Sequence, residues 1–162
     1  MQCMWNKRFL SLCVAAFIAF SPLFAGEKAD AVWAKYKTVE DCTTFSMSGP
    51  LARMAISSSG AKIPKGSKIS SINVIGFERD KFADTASIWE RLDRDLGKSM
   101  EMLMDTRQDG NRVKIYVEPQ GDIITSFVMF VQDRSRNVFA VMCNGSMPKE
   151  EVSKMIEENS KK

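Results

Sequence analysis

Hydrophobic and polar positions change their period several times along the chain, and each change predicts an element boundary. The N-terminal stretch has no period. Lys7 and Arg8 precede a mostly apolar run from Phe9 to Phe20, which Ser21-Pro22 interrupts before Leu23-Phe24-Ala25. A basic start, an apolar run and a small residue at its exit make a cleavable secretory signal over residues 1–25. The run is well short of the roughly 20 residues that cross a bilayer, so no stable transmembrane segment is expected after processing. Cys13 follows Leu12 rather than a small residue, so no lipid anchor is expected. The expectation is an exported protein of the periplasm or cell envelope.

From Glu27 to Tyr36 the pattern suits a short helix with Val32, Trp33 and Tyr36 inward. Thr43–Met47 alternates as a first strand, and Ser48-Gly49-Pro50 signals a helix start. That helix (L-A-R-M-A-I) places Leu51, Met54 and Ala55 on one side, and Ser57-Ser58-Ser59-Gly60 reads as the loop after it. A second strand fits Lys68–Phe77, with Ile72 and Val74 on one face and Ile69, Ile75 and Phe77 on the other. Asp84 or Thr85 can cap the next helix, whose Trp89, Leu92 and Leu96 recur at helical spacing before Gly97 ends it.

Four strands follow. Ser99–Thr106 joins Arg112–Glu118 through Asp109-Gly110, a strong hairpin signal. Val113, Ile115 and Val117 alternate with Arg112, Lys114, Tyr116 and Glu118, which predicts one buried and one wet face. Ile123–Val131 and Val138–Cys143 are apolar on both faces and are expected centrally or beneath a helix. Met147-Pro148 opens a last helix from Lys149 to Glu158 with Val152, Met155 and Ile156 inward, and residues 160–162 read as a frayed tail. Residues 26–162 thus predict a single α+β domain. Its antiparallel sheet has about five or six strands, including a C-terminal four-strand meander, and helices pack on one face.

The order of features in the second half also carries a resemblance. The Asp109-Gly110 hairpin, V-K-I-Y-V (Val113–Val117), Gly121-Asp122 leading into I-I-T-S-F-V-M-F-V, V-F-A-V-M-C-N-G ending at Gly145 and a short acidic helix follow the upstream T-T-F-S-M and L-A-R-M segments. Over residues 31–156 the chain resembles the bacterial family called domain of unknown function 4252. The resemblance implies a small exported envelope protein of this fold. It implies no activity, cofactor or catalytic residue.

Composition removes much chemistry. The 162 residues contain no His, so no Ser-His-Asp or Cys-His nucleophile system and no imidazole-ligated metal can form. A net charge of +3 is too small to argue for nucleic acid. Loss of residues 1–25 removes two cations together with Cys3 and Cys13, leaving Cys42 and Cys143 as a candidate disulfide in an oxidising compartment. The alternative is two buried thiols acting as small hydrophobes. Met100, Met102 and Met104 alternate along one predicted strand, where they read as flexible core filling before they read as Cu(I) ligands. Lys62, Lys65 and Lys68 read as solvated loop charge before they read as contacts to an anionic lipid or glycan. Glu118 and Asp122 flank a turn and suit its geometry better than acid–base catalysis.

These features predict no cofactor and no enzyme. They predict a non-catalytic envelope protein whose partner is an unknown envelope protein or surface component. The alternative is a carrier or sensor of a small apolar ligand held between sheet and helices.

Overall fold

In a computed structural model, which describes residues 27–60 and 62–160, six strands and four helices alternate in the predicted order. They are α1 (Glu27–Lys37), β1 (Thr43–Ser48), α2 (Gly49–Ser59), β2 (Lys68–Phe77), α3 (Thr85–Gly97), β3 (Glu101–Gln108), β4 (Asn111–Gln120), β5 (Ile123–Gln132), β6 (Val138–Pro148) and α4 (Lys149–Ser160). The strands form one antiparallel sheet in the order β1-β2-β6-β5-β4-β3, so the class is α+β and the C-terminal four strands are a meander. β5 and β6, apolar on both faces, take central places. The expected signal, with Cys3 and Cys13, lies outside the described residues, as do Lys161 and Lys162 of the expected tail.

The main core lies on the front face. α1 contributes Ala29, Trp33 and Tyr36, and α3 contributes Ile88, Trp89, Leu92 and Leu96, over Ile75, Phe77, Val128, Phe130, Val138, Ala140 and Met142. Asp84 caps α3 by accepting a hydrogen bond from the Ser87 amide at 2.9 Å. The amides of Ser99 and Met100 bond back to the Leu96 carbonyl at 3.0 and 2.8 Å. These two residues therefore finish the helix, and β3 begins at Glu101 rather than Ser99.

Where helices on one face were expected, they divide between two. A second cluster on the back face joins Ile69, Val117, Ile124, Met147 and Val152 with Ile56 of α2 and Ile156 of α4. Irregularities at Ile69/Ser71, Met102/Met104, Glu118/Pro119 and Ile124/Ser126 fall together near one end of the sheet. An extra residue reverses side-chain parity beyond it. Ile69 accordingly joins Ile72 on the back instead of sharing a face with Ile75 and Phe77. Gly145 sits at this end, and a Cβ there would lie 2.1 Å from the Lys68 carbonyl oxygen, so only glycine lets β2 and β6 meet.

α2 also turns differently from its predicted setting. Ala52 is fully buried and Ile56 packs inward, while Leu51 and Met54 face solvent. A small residue lets the helix approach the sheet, which size-weighted periodicity overlooks. Ser57, Ser58 and Ser59 continue the helix by donating to carbonyls three or four residues back, and Gly60 stops it at φ 68°.

Candidate functional site

β4 is buried on both faces from Lys114 to Glu118, where one wet face was expected. The residues expected to be wet, Lys114, Tyr116 and Glu118, are buried, and the first two lie beneath α3. Lys114 donates to both carboxylate oxygens of Asp93 at 2.7 and 2.8 Å and lies 3.3 Å from Asp105. The Tyr116 hydroxyl donates to Asp93 at 2.6 Å. Arg112 pairs with Asp105 at 3.2 Å and stacks 5.1 Å from the Trp89 ring centroid. Hydrogen bonds from Arg112, reinforced by Lys114, hold the Asp105 carboxyl below the usual carboxylate range. Burial, then the bond to Asp93, pushes the Tyr116 phenol above its ordinary value.

A smaller copy of this arrangement ties α1 to α3. Lys35 and Tyr36 both donate to Asp95, whose carboxyl is held low chiefly by the Lys35 bond. In both groups the charges answer one another, and the arrangement joins helix to sheet or helix to helix rather than activating a nucleophile.

The back face is different. Two register rows lie beyond the α2–α4 cluster: Phe45, Val74, Val141, Met129, Ile115 and Met104, and then Thr43, Gly76, Phe139, Val131, Val113 and Thr106. Neither row contains an ionisable side chain; Ile115 and Gly76 are buried, and the other members are half-buried or exposed. Phe45 is 53 % and Phe139 37 % exposed. A Cβ on Gly76 would come within 3.1 Å of the Phe139 ring, so the glycine lets that ring lie against the sheet. Six strands at about 4.8 Å and two rows at about 6.8 Å outline a patch on the order of 400 Å² in projection. The exposed part of this area falls within the size of the largest apolar patch on an ordinary monomer, a patch that is often functional.

These strands and turns fall within the segment, residues 36–155, that matches a family model described as a domain of unknown function, DUF4252. The chain belongs to this family. No curated protein and no solved structure matches it.

The DUF4252 domain keeps its two described cysteines apart as free thiols. Cys42 precedes β1, packs against the front core and donates to the carbonyls of Tyr36 and Lys37 at 3.8 and 3.5 Å. Cys143 pairs with Ile72 on the back face. Across two strands and five residues of register their separation is roughly 19 Å, beyond the reach of about 7 Å for a disulfide. Burial raises the thiol pKa of both, which disfavours the nucleophilic thiolate.

The methionine row is broken as well. Met100 is in the front core, Met102 pairs with Tyr116 on the front face, and the bulge sends Met104 to the back. Among the described residues there is no cluster of three or more His, Cys, Asp or Glu able to hold a metal, and no helix is long and apolar enough to cross a membrane.

The DUF4252 domain also carries a cleft of about 460 Å³ between α2 and the following loop, lined by Arg53, Ile56, Ser57, Ile63, Ser67 and Ile69. Sequence periodicity points to neither the open rows nor the Lys114–Asp93 pair. The only advance signal is the surplus of apolar residues on both faces of β5 and β6.

Proposed function

We propose that the protein is an exported, non-catalytic component of the cell envelope that holds another protein against the back face of its sheet. The observation that carries this reading is the pair of charge-free rows from β1 to β3 in which Phe45 and Phe139 are exposed and Val74, Met129, Val131 and Val141 are half-exposed. Export is supported by the basic, apolar and small-residue sequence of residues 1–25. A non-catalytic role fits the absence of His and the mutual pairing of the Lys114 and Asp95 groups.

The test places a photo-crosslinking residue at Met129 in the native host, with a matched one at Lys98 on the opposite side. A discrete protein adduct specific to position 129, found in the envelope fraction, is the expected result. Equal labelling from both positions, or an adduct confined to the cytoplasm, refutes the reading.

The cleft beside α2 favours a second reading, a carrier of a small apolar ligand. Its site would lie at the edge of α2 rather than between sheet and front helices, where Trp89, Phe130 and Tyr116 fill the space. Native mass spectrometry of the purified protein tests it: a ligand retained by the protein and lost on Ile56→Asp supports carriage, and an empty protein refutes it.

A further inference from the structure

Residues 42–77, from the loop before β1 to the end of β2, contain four basic side chains and no acidic one. They are Arg53 on α2, Lys62 and Lys65 in the loop, and Lys68 at the start of β2. Among the described residues none of these four forms an ion pair; Lys37 and Lys98 elsewhere on the surface form none either, but only here do four such cations occur in a segment without an acid. Two acids of the neighbouring helix are engaged with a lysine of their own. A Cβ on Gly66 would touch Pro148, which leads into α4, and on that helix Lys154 holds Glu150 at 2.7 Å and Glu151 at 3.1 Å.

The same segment is apolar at its surface. Of the six large hydrophobic side chains exposed among the described residues, four lie in it: Phe45, Leu51, Met54 and Ile63. Leu51 is 63 % and Met54 62 % exposed, and they stand three residues apart on the outward side of α2, opposite buried Ala52 and inward Ile56. Ile63, half exposed, faces the cleft that Arg53 also lines. Unpaired cations beside apolar tips, with no acid among them, suit one surroundings: the interface of an anionic bilayer. There basic side chains reach phosphates while apolar ones enter the boundary between headgroups and acyl chains. Burial among phosphates also gives the guanidinium and ammonium groups the partners that this chain does not supply.

We propose that the corner formed by α2 and the 62–68 loop docks on the surface of an anionic phospholipid bilayer. Leu51, Met54 and Ile63 enter the interface, and Arg53, Lys62, Lys65 and Lys68 contact lipid phosphates. The docking uses neither open row of the back face and needs no protein partner, so it stands or falls separately from the contact role above.

The test is co-sedimentation of the full chain with vesicles of phosphatidylcholine alone or mixed with phosphatidylglycerol, read as the ratio of the two affinities. Any contribution from the apolar run at residues 9–20 is common to every variant and cancels. Each cation near an anionic surface is worth about fivefold in affinity, so Lys62→Gln/Lys65→Gln/Lys68→Gln lowers binding to the mixed vesicles about 100-fold. Leu51→Ser/Met54→Ser weakens it by at least tenfold at high salt, where the charge contribution is screened. Lys37→Gln/Lys81→Gln/Lys98→Gln, away from the corner, changes it by less than about threefold. Leu51→Trp gives a blue-shifted emission on mixed vesicles, a readout that does not depend on the folding of the lysine variant.

Equal affinity for the two vesicle types overturns the proposal. So does an equal loss in the two lysine triples, an unchanged Leu51→Ser/Met54→Ser variant, or an unshifted Leu51→Trp spectrum.

Discussion

Removing Asp93 will destabilise the protein more than removing the lysine it holds. The Lys114 side chain is 8 % exposed, whereas those of Asp93 and Asp105 are 29 % and 33 % exposed. Asp93→Ala strands a buried ammonium with Asp105 alone at 3.3 Å and takes the acceptor from the Tyr116 hydroxyl. Loss of the charged bonds and of that acceptor costs about 3–4 kcal/mol. Lys114→Met removes the buried charge, keeps most of the side-chain volume and leaves two carboxylates that water can reach. That change costs about 1 kcal/mol.

Urea unfolding at neutral pH, followed by far-UV circular dichroism, reads both losses. Near 3 °C per kcal/mol for a chain of this size, the thermal midpoints fall by about 10 °C and about 3 °C respectively. The double variant distinguishes the argument from simple contact loss. Without Lys114 there is no stranded ammonium, so Asp93→Ala/Lys114→Met is more stable than Asp93→Ala alone. A larger loss for Lys114→Met, or a double variant equal to the sum of the singles, refutes the reasoning.

Other expectations follow from the same geometry. Asp95 and Asp105 are held low by Lys35 and Arg112, so the unfolded chain takes up protons first; stability is full above about pH 5 and falls as pH drops below the ordinary carboxylate range near 3.9. Above about pH 8 the Cys42 and Cys143 thiols and then Tyr36 and Tyr116 ionise first in the unfolded chain and stability falls again; urea midpoints that rise between about pH 8 and 10 would contradict this. Val128→Thr, on the front face, should cost about 2 kcal/mol, and Val141→Thr, in the open back row, less than about 0.5 kcal/mol; equal losses would show the faces to be misassigned. Gly145→Ala forces β2 from β6 and should lower the melting point by at least 8 °C, while Gly121→Ala, with nothing within 4 Å of its Cβ, should lower it by about 3 °C. Denatured without reductant, the protein should present thiols at both Cys42 and Cys143 to a thiol reagent, and a shortfall would reveal an oxidised pair.

The strands were legible because turn chemistry and alternation agree: Asp109-Gly110, Gly121 and the Asp133–Asn137 turn bound β3 to β6 closely. What periodicity does not contain is which face a helix covers. On β4 the apolar set Val113, Ile115 and Val117 looked like the only inward one, and Ile115 and Val117 are indeed buried, yet α3 brings Asp93 over Lys114 and Tyr116 and buries the polar set as well. The cause lies about twenty residues upstream in sequence and becomes visible only once the helix is docked. The bulges hide in the same way, since a single inserted residue reassigns Ile69 and Met104 without leaving a compositional trace. On α2 the three serines resemble a linker, although their hydroxyls close onto the helix's own carbonyls. The candidate surfaces were the least legible part, because an apolar row reads identically whether a core or a solvent-facing sheet receives it.

The strand order has a kinetic consequence. β3 to β6 pair with their sequence neighbours, but β2 reaches its place in the sheet only against β6, with Ile72 opposite Cys143, about seventy residues on. Closing so long a loop comes late, after the meander offers an edge to receive it. Until β6 has been synthesised, β1, α2 and β2 have no sheet to join, so an emerging chain keeps an unfinished edge on β5 and an undocked N-terminal third. For the export proposed above, that delay would be an advantage in a translocation channel: the pairing that completes this sheet forms only when its last strand has arrived.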